Sequence, residues 1–186
     1  EAILVSHAHL DHSNDANPMI EMMTHCHDHP GTLFANETAL KGYGDIDKAI
    51  SSYHQDLCRT VEKLEEGYET EFKNISIRSQ QMFHGDSKTQ GFIIENDEKS
   101  IGFWTDTEFS EELVSFYEGC DTLVVYCNRP KNAPIEGHTS LDEVPEIVED
   151  LDVSTVIITH FGFKSLDQDL EEEREWLEGK IDPKVV

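Results

Sequence analysis

Four side chains able to bind a metal stand within six residues near the start of the chain: His7, His9, Asp11 and His12, in the run His7-Ala8-His9-Leu10-Asp11-His12. Imidazole and carboxylate are the groups that hold zinc-class cations at neutral pH. In an extended segment, side chains two residues apart point the same way, so His7 and His9 can reach one cation as a pair. A turn after Leu10 can direct Asp11 and His12 at a second cation beside the first. One histidine at a strand end is usually an ordinary packing or surface residue. Four donors at this spacing, directly behind an apolar run, point instead to a metal site.

Short apolar strands must position these donors. Ile3, Leu4 and Val5 read as a buried strand that stops where the donors begin. The same arrangement recurs three times. His84 follows the strand-like stretch from Ile75 to Phe83, Asp106 follows Ile101 to Thr105, and His160 follows Val156 to Thr159. Rigid strands can in this way hold donors that are far apart in sequence.

The order H-x-H-x-D-H, then His, Asp and His, resembles the signature of the metallo-β-lactamase superfamily over roughly residues 3 to 165. The resemblance implies an α/β fold of four layers, an αββα sandwich with metals at one edge. It implies two divalent ions, zinc first, with manganese or iron as alternatives. His7, His9 and His84 would hold one ion, Asp11, His12 and His160 the other, and Asp106 would bridge. Asp11 would also orient the attacking water. Asp106 stands where the antibiotic-hydrolysing members that use cysteine have that residue, which argues against that activity. H-x-H in place of H-x-E argues against the di-iron flavoprotein branch.

His138, in Glu136-Gly137-His138-Thr139-Ser140, resembles the G-H-S/T element of the phosphodiesterase branches, such as ribonuclease Z and the cyclic-phosphate phosphodiesterase of the phosphonate pathway. There the histidine contacts phosphate or protonates the leaving oxygen. The plain alternative is a loop histidine beside a helix cap. The expected function is therefore a two-metal phosphodiesterase acting on a small phosphodiester, with Asp11 and His138 as catalytic residues. A glyoxalase II-like thioester hydrolase shares the ligands, and a metal-binding protein without catalysis is the third reading.

Composition narrows the partners. Of 186 residues, 39 are acidic and 14 basic, a formal net charge of −25. Such a surface repels nucleic acid phosphates, and no basic extension for transfer RNA is present. A small-molecule substrate is the expected partner, and a homodimer is compatible with the sequence. The acids are spread along the chain, as in proteins adapted to a very salty cytoplasm. No apolar run is long enough to span a membrane and no signal peptide is visible, so the expected location is cytoplasmic. Cys26, Cys58, Cys120 and Cys127 show no metal or disulfide spacing, and the latter two read as buried thiols. Residues 1–186 read as a single domain that opens inside its first motif strand, so the family's earlier strands are expected to be missing.

The remaining elements are read from caps and periodicity. Asn17 and Pro18 predict a helix start, and Thr32–Ala35 a buried strand. Residues 37–43 and 45–53 read as short helices, and 56–64 fits strand or helix. The stretch 96–99 predicts a hairpin turn, and Ser140 and Glu143 a capping box. The loop carrying His25, Cys26, His27 and His29 reads as solvated, because it lacks the strand-end placement of the other donors. From the dispersed charge we expect salt-dependent folding. Molar salt shortens the Debye length to about 3 Å and removes most repulsion between surface carboxylates. The melting temperature should rise between dilute buffer and molar KCl, and a melting temperature that does not rise would contradict the adaptation.

Overall fold

A computed structural model describes residues 1–26 and 29–186, and the chain divides into two compact units. The first comprises Glu1–Glu66 with Asp86–Gln90, the second Gly67–Gly85 with Gly91–Val186. His27 of the proposed solvated loop lies outside the described residues; His25, Cys26 and His29 are exposed.

The first unit runs β1 (Ala2–Val5), α1 (Leu10–Ser13), α2 (Ala16–Glu21), β2 (Thr32–Asn36), α3 (Glu37–Lys41), α4 (Ser52–Leu57) and β3 (Thr60–Leu64). Its strands form a parallel sheet in the order β1-β2-β3. Parallel strands end at the same edge, so the donor run after β1 and the chain after β2 leave the sheet side by side. The core is Val5, Ile20, Leu33, Ala35, Ala39, Leu40 and Ile50, all buried. Asn36 caps α3 by accepting the Ala39 N–H at 2.9 Å, and Gly42 ends it in the left-handed region at φ 81°.

Two helix expectations change here. Helix α2 begins at Ala16, one residue before the expected cap, because Asn17 uses its amide elsewhere. It donates to Ala49 O at 2.9 Å and accepts from Ser51 N at 3.2 Å. The helix expected at 45–53 forms instead at Ser52–Leu57, where Ser51 accepts the His54 N–H. The ambiguous stretch 56–64 holds the end of α4 and then strand β3.

The second unit runs β4 (Glu69–Phe72), β5 (Ile75–Gln81), β6 (Gln90–Glu95), β7 (Ser100–Trp104), α5 (Glu111–Val114), β8 (Thr122–Arg129), β9 (Thr139–Ser140), α6 (Val144–Val148), β10 (Thr155–Thr159), α7 (Phe163–Leu166), α8 (Leu170–Glu178) and β11 (Lys184–Val185). The strands form one sheet in the order β11-β10-β8-β7-β6-β5-β4, with β9 beside β8. The expected hairpin joins β6 and β7, and the expected capping box between Ser140 and Glu143 is formed. Strands β7, β8 and β10 are mutually parallel, so their C-terminal ends, which carry Asp106, Asn128 and His160, lie at one edge.

Alternation along β8 buries Leu123, Val125 and Cys127 on one face, against Ile147, Val148, Val156 and Leu177. Each such side chain contributes about 1.5–3 kcal/mol by leaving water. The thiols are free, and burial pushes Cys120 up to about 11 and Cys127 up to about 12. Both therefore stay protonated at neutral pH and serve as small apolar groups. The fold is mixed α/β, with sheets flanked by helices, as the sequence implies. Among the described residues no helix is long and apolar enough to cross a membrane.

Gly102 in β7 lies under Tyr117, whose hydroxyl donates to Phe103 O at 2.8 Å. A Cβ at Gly102 would meet Tyr117 Cδ1 at 2.6 Å and Leu123 Cδ1 at 3.0 Å. Gly102→Ala should therefore destabilise the protein by about 1–3 kcal/mol through overpacking, read as a lower urea midpoint at unchanged slope.

Candidate metal centre

In the first unit, strand β1 ends at Val5 and the chain continues extended through His9, at φ −59° and ψ 144°, before α1 turns. His7 is fully buried, and its Nδ1 lies 3.0 Å from the Ser6 hydroxyl, which leaves Nε2 to face His9. The two rings are brought together, with His7 Nε2 3.1 Å from His9 Nδ1. The His12 ring packs on His7 at a centroid distance of 4.2 Å, and Asp11 lies 3.5 Å from His12 Nε2. Asp11 is exposed, whereas the His12 side chain is nearly buried. Ser13 fastens the turn by donating to the carbonyls of Ala8 and His9.

This run is tied to the end of β2 by Asp86. The Asp86 carboxylate is fully buried. One oxygen accepts from Ala8 N at 3.2 Å and Asn36 Nδ2 at 2.9 Å, and the other from Thr38 Oγ1 at 2.7 Å and Lys88 N at 3.0 Å. An Asp in a Gly-Asp-Ser loop looks like turn chemistry, so no local signal marks it.

In the second unit the donors gather around Asp106, which is 2% exposed. Asp106 Oδ1 lies 3.3 Å from His160 Nδ1, and Oδ2 lies 3.7 Å from His84 Nε2 and 4.0 Å from His138 Nε2. The His84 and His138 rings meet edge to face at 4.8 Å. His84 Nδ1 donates to Gly137 O at 2.6 Å, and His138 Nδ1 donates to Glu136 O at 3.2 Å. A carbonyl only accepts, so both rings are protonated at Nδ1 and present Nε2 to the carboxylate.

His160 sits in the left-handed region at φ 62°, which turns the chain sharply at the strand end. It stacks on Tyr126 at 5.5 Å and 10°, beside Asn128. Burial first, and then the charge of Asp106, hold the Tyr126 phenol above its usual range, so it packs as a neutral ring.

Hydrogen bonds lock the His138 loop to the other strand ends. Trp104 Nε1 donates to Thr139 Oγ1 at 2.9 Å, and Thr139 Oγ1 donates to Thr107 O at 3.0 Å. Thr107 Oγ1 in turn accepts from Phe83 N at 3.0 Å, next to His84. Thr139, Thr107 and Trp104 escaped the sequence reading, which had no means of pairing a hydroxyl with a distant indole.

These residues fit a cation. Donor atoms of one tetrahedral zinc ion, each 2.0–2.1 Å from it, stand about 3.4 Å apart. The spacings of 3.1 Å for His7–His9 and 3.3 Å for His160–Asp106 match that value. His84, Asp106 and His138 bring one donor atom each within 4.8 Å of one another. By contrast, the cavity of about 240 Å³ lined mainly by apolar residues such as Leu141, Ile158, Phe161 and Leu177, with Arg129, Glu173 and Arg174 also on its wall, contains none of the histidine donors.

Thr139→Val should expose the role of the lock. It keeps the shape, strands the buried Trp104 N–H and frees the Thr107 carbonyl. The loss should be about 1–3 kcal/mol of stability, read by denaturant unfolding, and the His84–His138 contact should loosen in a crystal structure of the variant.

Comparison with known proteins agrees with this architecture. The chain is 27% identical over 175 residues to the uncharacterized protein MJ1374 of Methanocaldococcus jannaschii, covering 92% of this chain and 66% of that protein. The chain thus spans about two thirds of that relative's length. The crystal structure of YhfI from Bacillus subtilis, a metallo-β-lactamase fold protein, aligns with all of this chain and 73% of its own, at 15% identity and a TM-score of 0.77. A diphosphatase from the PhnP family aligns with all of this chain and 68% of its own, at 20% identity and a TM-score of 0.68. These structures share a metallo-hydrolase fold with the chain. The family model described as the β-lactamase superfamily domain matches residues 1–161, and the chain therefore belongs to that family.

Proposed function

We propose that this protein is a metal-dependent hydrolase of small phosphodiesters. His7, His9 and His84 would hold one divalent ion, Asp11, His12 and His160 a second, and Asp106 would serve both, with zinc first among the candidate metals. When bound, the ions would supply an activated water and positive charge for the developing phosphorane oxygens. The remaining chemistry belongs to the side chains. Asp11, exposed at the end of the donor run, orients the attacking water. Water attacks phosphorus, its proton passing to solvent by way of the exposed Asp11 carboxylate, and the bond to the leaving oxygen breaks. His138 in its imidazolium form protonates that oxygen from Nε2 and keeps its Nδ1 proton on Glu136 O.

The observation that carries the reading is the placement of His138. Its Nε2 is 4.0 Å from Asp106, its ring touches His84, and its side chain is a quarter exposed. It stands at the donor cluster, yet solvent and substrate can reach it. A loop histidine serving only a helix cap has no reason to be aimed there. The similarity to a PhnP-family diphosphatase supports a fold able to host phosphate chemistry. The net charge of −25 favours a small substrate over a nucleic acid. We read the same charge as adaptation to high salt.

The test is His138→Ala in the metal-loaded protein. Metal content by elemental analysis should be unchanged. Turnover of alkyl phosphodiesters should fall roughly 10²–10⁴-fold, the scale of a lost general acid. The loss should shrink for bis-p-nitrophenyl phosphate, whose leaving group needs little protonation. Undiminished phosphodiesterase activity, or a wild type that cleaves a thioester and no phosphodiester, would overturn the reading.

A further inference from the structure

We infer that Asp86 is a positioning residue that sets the spacing of His7 and His9 through the peptide between them. The inference rests on the proposed reading of those histidines as a metal-binding pair.

Asp86 is the fully buried carboxylate that accepts four hydrogen bonds inside the first unit. Removing a carboxylate from water is costly unless donors replace the water, and here four do. Where the donors come from is the informative feature. Asn36 and Thr38 belong to the end of β2 and the start of α3, which the sheet and the Asn36 cap hold rigid. Lys88 N belongs to the same loop as Asp86. The fourth donor, Ala8 N, is the amide midway between His7 and His9. It lies beyond the β1–β2 ladder, whose register ends at Val5 and Ala35.

Asp86 therefore substitutes for the missing ladder and transfers the rigidity of β2 and α3 to the donor run. Anchoring the His7–Ala8 peptide holds this segment extended, and in an extended segment the side chains of His7 and His9 share one face. The result is a His7–His9 nitrogen separation of 3.1 Å. Ser6 orients the His7 ring from the other side, and Gln90 N donates to Ser6 O at 3.0 Å, so the loop of Asp86 grips the run at two points. Asp86 reaches the donor run through the Ala8 amide, so its hold on the two histidines passes through the backbone.

A conservative substitution separates the tether from the charge. In Asp86→Asn the amide oxygen can stay on Ala8 N and Asn36 Nδ2 while its NH₂ turns to the Thr38 hydroxyl, which can accept; only the Lys88 N–H, within the loop of Asp86 itself, loses its acceptor. Asp86→Ala removes every contact. Zinc affinity of the full chain, measured by competition with a chromophoric chelator, should fall 10–100-fold in Asp86→Ala and stay within about threefold of wild type in Asp86→Asn. The metal-free melting temperature is recorded for each variant, so that loss of fold is not mistaken for loss of positioning. In the wild type, the Ala8 amide should exchange with solvent slowly, and this measurement stands even if Asp86→Ala does not fold. Overturning results are unchanged zinc affinity in folded Asp86→Ala, an equal drop in Asp86→Asn and Asp86→Ala, or an unprotected Ala8 amide. A wild-type protein that binds no zinc would instead sink the metal-site reading itself.

Discussion

The second unit depends on one buried charge. Asp106 is 2% exposed, and a carboxylate out of water is costly until positive charge or hydrogen-bond donors replace its hydration. Three imidazoles stand 3.3–4.0 Å from its oxygens. That requirement explains where the elements end. Parallel strands β7, β8 and β10 bring Asp106, Asn128 and His160 to one edge. The link from Trp104 through Thr139 and Thr107 to Phe83 then aligns the His138 loop and the His84 segment with that edge. Even the left-handed backbone at His160 follows from it. An L-residue enters that region at a cost of about 1–2 kcal/mol, and the surrounding contacts with Tyr126 and Asn128 hold it there.

The first unit meets the same problem differently. Its buried carboxylate, Asp86, is surrounded by amide and hydroxyl donors and not by imidazoles. All its hydrogen-bonding demand is met inside the fold, so it stabilises geometry and has no remaining call on a cation. Asp106 faces imidazoles, groups able to share a cation with it, and so it remains available to one. Two buried acids of the same type thus take opposite roles, decided by their neighbours. Both differ from the acids that dominate the net charge of −25, which lie mostly on the surface and respond to salt.

The donors were legible in the sequence because each follows an apolar strand, and strand periodicity is a local signal. His7, His84, Asp106 and His160 are where those strands run out. The capping box at Ser140 and the hairpin between β6 and β7 were legible from other local signals, the Ser–Glu spacing and the turn residues at 96–99. What escaped was set by partners distant in sequence. Asn17 looked like a cap, yet its amide is taken by Ala49 and Ser51, more than thirty residues away. The helix expected at 45–53 moved to Ser52–Leu57, because Tyr43 and Ile46 pair as an isolated bridge and Ser51 supplies the stronger cap. Asp86 and Thr139 carry no periodic mark, since each matters through one hydrogen-bond network that only the folded chain assembles.

Those networks also decide something that donor identity leaves open, namely which nitrogen of each ring faces the neighbouring donors of its own unit. Ser6 occupies Nδ1 of His7, and the Gly137 carbonyl occupies Nδ1 of His84, so both present Nε2. His9 faces His7 with Nδ1, and His160 faces Asp106 with Nδ1. Gly137 does this at close quarters. Its φ of 73° suits glycine, and a Cβ there would stand 3.2 Å from His84 Nδ1. The rings are therefore already oriented, which would lower the ordering cost of binding a cation. The same device acts on His138. With Nδ1 committed to Glu136 O, its only ring position free to exchange a proton with a bound molecule is Nε2, and that is the atom directed toward Asp106. A residue held this way can lose and regain a proton without turning its ring, which is the property a general acid at this position needs.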